Sequence, residues 1–203
     1  MTKRILKKDI NQLKKDVFSD DWKFAKSAAK KLVKIGGDEI VDFFISLLSL
    51  DNHSIIRMAA WALDEIRDNK AVNPLLRSIF KKENYNYNAS MVWTLSKLDC
   101  SNKLKEIFKI LFYQAYEAKL YAHGILNEQI FTFSHEDILK IKKMWDDIKL
   151  NPKKCPGYDD EQTREMMQDG VDGFMGYLKE KEIKTKSNSR TKKSPAGNSG
   201  SKR

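Results

Sequence analysis

The chain has 203 residues, of which 41% are hydrophobic, 10% aromatic and 33% charged, with only nine glycines and four prolines. That is enough apolar material for a real core and too few chain-breaking residues for a turn-rich β architecture, so an all-α fold is expected. The formal net charge is +10, yet residues 16–178 hold 23 basic and 25 acidic side chains, so the basicity belongs to the two ends and does not by itself argue for a nucleic-acid groove.

In chain order, Leu6, Ile10, Leu13 and Val17 recur at helical spacing and predict an amphipathic first helix, a basic cap over residues 1–19. From residue 20 to 149 the apolar pattern repeats. The segment from Asp21 to Leu48 lies over the segment from Asn52 to Ile79 at an offset of 31, so that Ala28 and Ala29 fall on Ala59 and Ala60, Leu32 on Leu63, Val41 on Val72 and Leu48 on Ile79. At a further offset of 32, Ala59 and Ala60 meet Met91 and Val92, Trp61 meets Trp93, Leu63 meets Leu95 and Ile79 meets Leu111. A fourth unit is weaker. Ala118–Asn127 reads as its first helix and Ser134–Ile148 as its second, with Ser134 and Asp137 in capping-box spacing.

Each unit is a helix, a short polar turn and a helix. A period of 31–32 residues of this kind is the mark of a short right-handed α-solenoid of about four stacked hairpins. One hairpin cannot bury both of its apolar stripes, whereas stacked hairpins cover each other. The paired alanines of the first helices allow close approach, and the replacement by Met91 and Val92 predicts packing that is wider or differently curved in the third unit. Gly36-Gly37 should end one helix and Asp38-Glu39 open the next; the letters GGDEI resemble the diguanylate-cyclase signature, but here they join two helices. A loop and an acidic, Met-rich C-terminal helix are expected over 150–182, weakened by Gly170, Gly173 and Gly176, with a disordered basic tail over 183–203.

The stretch from Ile55 to Leu76 resembles a HEAT repeat of the phycobilisome-lyase type, on Ile56-Arg57, Ala59-Ala60, Ala62-Leu63, Asp68, Ala71-Val72 and Pro74-Leu75-Leu76. Arg67 stands where that family often has glycine. The resemblance implies an α-solenoid whose second helices line the inner face, and it implies nothing definite about catalysis. A chromophore-lyase role has only that analogy behind it.

Repeat alignment also places the surface rows. On the second helices, Asp42, Asn73 and Lys105 form one row, Ser46, Arg77 and Lys109 the next, and Ser49, Phe80 and Phe112 a third. The face turns from acidic or neutral to basic along the array, with an aromatic edge. The expected site is therefore a partner-binding concave face of Asn73, Arg77, Phe80, Lys105, Lys109 and Phe112, suited to a protein with an acidic surface. Arg57 is expected to bond an inter-repeat acid, Asp68 or Asp38. Trp61 and Trp93 read as a packed outer ladder. His53, His123 and His135 lack ligand spacing, and Cys100 and Cys155 form no zinc or disulfide pattern, so neither a metal nor a cofactor is expected. The expectation is a non-enzymatic, cytoplasmic interaction module: an adaptor, an assembly factor or a toxin-immunity protein. The alternative is a nucleic-acid-binding protein related to the HEAT-like alkylpurine DNA glycosylases, with the basic tails contributing. No apolar run approaches the ~20 residues of a membrane helix.

Overall fold

The computed structural model describes residues 7–190, with side chains described to Leu178. Among these residues it is helical throughout, with no strand. Helix α1 (Lys7–Asp16) lies against α2 (Trp22–Ile35), and four hairpins follow: α2 with α3 (Asp38–Leu47), α4 (His53–Ile66) with α5 (Val72–Ile79), α6 (Ala89–Leu95) with α7 (Leu104–Tyr113), and α8 (Tyr116–Glu128) with α9 (His135–Leu150). The first helices α2, α4, α6 and α8 pack in that order into one layer, and α7 packs on α9 in the other. This is the stacked α-solenoid that the 31–32 residue period predicts. Helix α10 (Glu161–Arg190) closes the far end against α8 and α9. Its helix continues eight residues beyond the boundary expected for the tail at residue 183; residues 191–203 of that tail and residues 1–6 of the expected cap lie outside the described residues.

Local chemistry fixes the hairpin ends. Asp21 caps α2 by accepting from the main-chain N–H groups of Lys23 and Phe24, and Asn52 caps α4 by accepting from that of Ile55. The α2–α3 turn passes through Gly36 at φ 67° and Gly37 at φ 87°, conformations that side chains resist. Asp38 and Glu39 then occupy the first turn of α3, where the helix dipole favours acids. The equivalent turn after α4 uses Arg67 at φ 58° and ψ 41°. This left-handed geometry favours glycine over any residue with a Cβ. Ser134 and Asp137 form the expected capping box: Asp137 N–H donates to the Ser134 hydroxyl at 3.2 Å, and Ser134 N–H donates to the Asp137 carboxylate at 2.9 Å.

The core is continuous. Ala28, Ala29, Ala59, Ala60, Met91 and Val92 are all at 3% exposure or less, and buried apolar residues run from Val17 to Val171. On the α4 side α6 comes close enough for the hydroxyl of Thr94 to donate to the carbonyl of Ala60 in α4 at 2.9 Å. A side chain can reach a helix backbone this way only where the facing residue is small. Helix α8 supplies its own small buried residues, Ala118 and Ala122.

The repeat period recurs in polar contacts between units. Ser78 Oγ donates to Leu48 O at 2.9 Å, Lys81 Nζ to Ser49 O at 3.1 Å, and Asp99 N–H to Asn69 Oδ1 at 2.9 Å. Gln129 both accepts from Cys100 N–H and donates to Leu98 O. The buried Ser78 bond satisfies a Leu48 carbonyl that stacking would otherwise strand without water.

Two charged expectations change. The Arg57 guanidinium lies over the Trp22 ring, 4.9 Å from its centroid, instead of against Asp68 or Asp38. It does link two units, but through the π face of Trp22. Asp68 accepts from Lys70 N–H inside its own turn at 2.8 Å, so it is a cap and not an inter-repeat partner. An ionic link between repeats is made by Lys70, whose ammonium meets Asp38 at 3.3 Å and Asp42 at 3.2 Å. These carboxylates, Asp42 first, raise the Lys70 pKa. Of the two outer tryptophans, Trp61 is half-buried under Lys26, whereas Trp93 is exposed, with Lys97 over it and its edge against Tyr121.

Candidate functional site

Second helices α3, α5, α7 and α9 line a chain of three cavities. The first, about 320 Å³, is bounded by Ile45, Ser46, Ser49, Pro74, Arg77 and Lys81. The second, about 630 Å³, lies between α5 and α7 and includes Asn73, Leu76, Arg77, Phe80, Lys103 and Lys109. The third, about 620 Å³, lies between α7 and α9 and is lined by Lys105, Lys109, Tyr113, Lys140, Lys143 and Met144. Arg77 is shared by the first two cavities, and Glu106 and Lys109 by the last two. The three therefore form one groove across the hairpins. Seven basic and two acidic side chains, Glu106 and Asp147, line it, so the positive charge of a near-neutral body gathers on this face.

The structure brings five of the six expected face residues to this groove: Asn73, Arg77, Phe80, Lys105 and Lys109. Phe80 is 39% exposed. Phe112 is the exception, at 0% exposure. It stacks on Trp145 of α9 with ring centroids 5.6 Å apart and an interplanar angle of 17°. Helix α7 continues past the residue that ends α5, so Phe112 sits within a helix and turns under the fourth hairpin, and the neighbouring Tyr113 takes its place at the groove.

The groove's cations differ in how far they are committed. Lys105 is held by Asp137 at 3.1 Å and Lys140 by Glu136 at 2.7 Å. Asp147 is held by Lys154 at 2.8 Å. The Ser134 main-chain N–H and hydroxyl, with Lys105 beyond them, hold the Asp137 carboxyl down at about 2. Arg77, Lys109 and Lys143 have no acid within ion-pair distance among the described residues. The sequence does not single out Lys140, Lys143 and Met144, because the fourth hairpin keeps the repeat template too loosely for its surface rows to be aligned, and it points to Phe112 instead of Tyr113 beside it.

Elsewhere, Lys119 is 1% exposed and donates to Leu111 O at 2.9 Å and Phe112 O at 2.7 Å, 3.7 Å from Cys155 Sγ. Burial lowers the Lys119 pKa, raises that of Cys155 and pushes Cys100 up to about 12. Both cysteines are free and buried. Among the described residues no group of three or more His, Cys, Asp and Glu could hold a metal ion, and no helix is long and apolar enough to cross a membrane.

The family model for HEAT repeats matches residues 10–96. That span runs from α1 through α6 and contains the units in which the alanine pairs recur. Among solved structures, the chain is similar to a designed armadillo repeat protein at 15% identity, with 80% of this chain and 98% of that one covered and a TM-score of 0.32. No curated protein matches the chain.

Proposed function

We propose that this HEAT-like solenoid is a non-catalytic interaction module that holds an acidic segment of a partner protein in the second-helix groove, its concave face. The observation that carries the reading is the groove itself. A stacked array offers a long rigid surface, and here that surface collects basic side chains, five of them with no acid in ion-pair distance among the described residues, around exposed apolar patches. Such charge complementarity gives orientation and on-rate, and the apolar patches give contact area. An adaptor, an assembly factor or a toxin-neutralising protein would use this face in the same way. Two buried free thiols suit a reducing, cytoplasmic setting. The phycobilisome-lyase likeness of the second unit lies in its packing residues and adds no chromophore chemistry.

A double substitution, Arg77→Glu with Lys109→Glu, tests this. Both residues are exposed, so helicity and melting should stay unchanged while a partner identified with the native chain no longer co-purifies. Full retention of that partner by a folded double variant would remove the groove from the function. Deleting residues 191–203 separates the alternative: DNA binding that persists in the truncated chain, and falls steeply with salt, would favour nucleic acid.

A further inference from the structure

The two larger cavities differ from an ordinary solvated face in having apolar floors under charged rims. Leu76 and Phe80 floor the α5–α7 cavity, and Tyr113 and Met144 floor the α7–α9 cavity. Lys109 and Glu106 stand on the wall between them. Lysine stems extend such apolar surface while the ammonium heads stay at the rim.

We infer that these twin cavities take an extended acidic peptide segment bearing two apolar anchor residues three positions apart, one in each cavity, with flanking carboxylates on Lys109 and Lys143. The inference rests on the proposed protein-binding reading and specifies its ligand. Adjacent packed helices lie roughly 8–10 Å apart, and a chain extended as polyproline II advances about 3.1 Å per residue with three residues per turn, so a segment crossing α5, α7 and α9 turns every third side chain to the groove, about one cavity further on. Charge selects the occupant. The chain's own segments outside the described residues, 1–6 and 191–203, contain lysines and arginines and no Asp or Glu, so like charge keeps them out. A phosphate backbone fits poorly as well: Glu106 has no paired cation among the described residues and sits on the wall between both cavities, where a continuous anion would meet it. A peptide can place a main-chain N–H at Glu106 and its carboxylates elsewhere.

The test uses the full chain and fluorescein-labelled synthetic peptides of about ten residues, long enough to cross the groove. All are rich in Asp and Glu, and they carry Leu at both anchor positions, at one, or at neither, with Ser as the replacement. Replacing either anchor by Ser should weaken binding about tenfold or more, as expected for losing a buried leucine. Met144→Ser should erase the preference at one anchor and Phe80→Ser at the other, while Lys109→Glu with Lys143→Glu abolishes binding of every peptide. Equal binding of the Leu and Ser peptides would overturn the anchors and leave the acidic-partner reading standing. Failure of every acidic peptide to bind would overturn the inference and count against that reading. Displacement of the peptide by single-stranded DNA of equal length at equal concentration would overturn it in favour of nucleic acid. A concentration-dependent dimer lost on Lys109→Glu would assign the groove to a second copy and overturn it too.

Discussion

The ammonium of Lys119, in α8, donates to the carbonyl of Phe112, in the last turn of α7, at 2.7 Å. It also donates to the Leu111 carbonyl, so a buried cation closes the negative end of α7 and replaces the hydrogen bonds that its final carbonyls lack. Lys119→Ala should cost about 2–4 kcal/mol, since it strands the buried Leu111 carbonyl, leaves that of Phe112 with only the Cys155 thiol at 2.9 Å, and opens a cavity. Lys119→Met keeps the volume and should cost less. Urea denaturation of the two variants checks the order, and a cost below about 0.5 kcal/mol for the alanine variant would contradict the capping role.

Arg67 occupies the left-handed region without being glycine. It is exposed, and its conformation strains any side chain with a Cβ, by roughly 1–2 kcal/mol per residue. Arg67→Gly should therefore raise stability by about 0.5–1 kcal/mol after the extra freedom of glycine in the unfolded chain is subtracted. Arg67→Val should lower it. Thermal melts of the pair give the sign directly.

The glycines of α10 divide in the same kind of experiment. A Cβ on Gly170 would lie 3.0 Å from Leu111 Cδ2, whereas a Cβ on Gly173 would meet nothing within 4 Å. Gly173→Ala should stabilise the helix by roughly 0.5–1 kcal/mol. Gly170→Leu should instead push α10 away from α8 and lower the melting temperature.

Acid should attack the cap of α9. The Asp137 carboxyl is held at about 2 against an ordinary 3.8. A depressed carboxylate contributes stability that is complete above its unfolded value and lost as pH falls towards its folded one, so this contribution should fade between pH 3.8 and about 2. Ser134→Ala removes the hydroxyl's share of the shift and keeps the main-chain N–H, its chief cause. It should cost about 1 kcal/mol near neutrality and move the Asp137 titration, followed by carboxyl NMR, back towards 3.8.

The hairpins were legible in the sequence because their stripes and alanine pairs return at a fixed offset, and the structure stacks them in that order. Five groove residues followed from the same offset. Phe112 did not, because alignment to Phe80 assumes that both second helices end alike and stay uncovered, and α9 brings Trp145 over the longer α7. Arg57 was placed against an acid by charge, whereas the nearest large partner is the ring of Trp22. Lys119 left one faint signal. It shares the stripe of Ala118, Ala122, Ile125 and Leu126, where a lysine is out of place unless carbonyls receive it.

Site-specific photo-crosslinking reads the groove most directly. A photoreactive amino acid is placed at Asn73, Lys109 or Lys143 in the groove, and at Lys30 or Glu65 on the outer helices. The expected result is a protein adduct from the three groove positions alone, with the crosslinked partner peptide rich in Asp and Glu. Adducts from Lys30 and Glu65 but not from the groove, or groove adducts consisting of nucleic acid, would contradict the assignment of this face to an acidic protein partner.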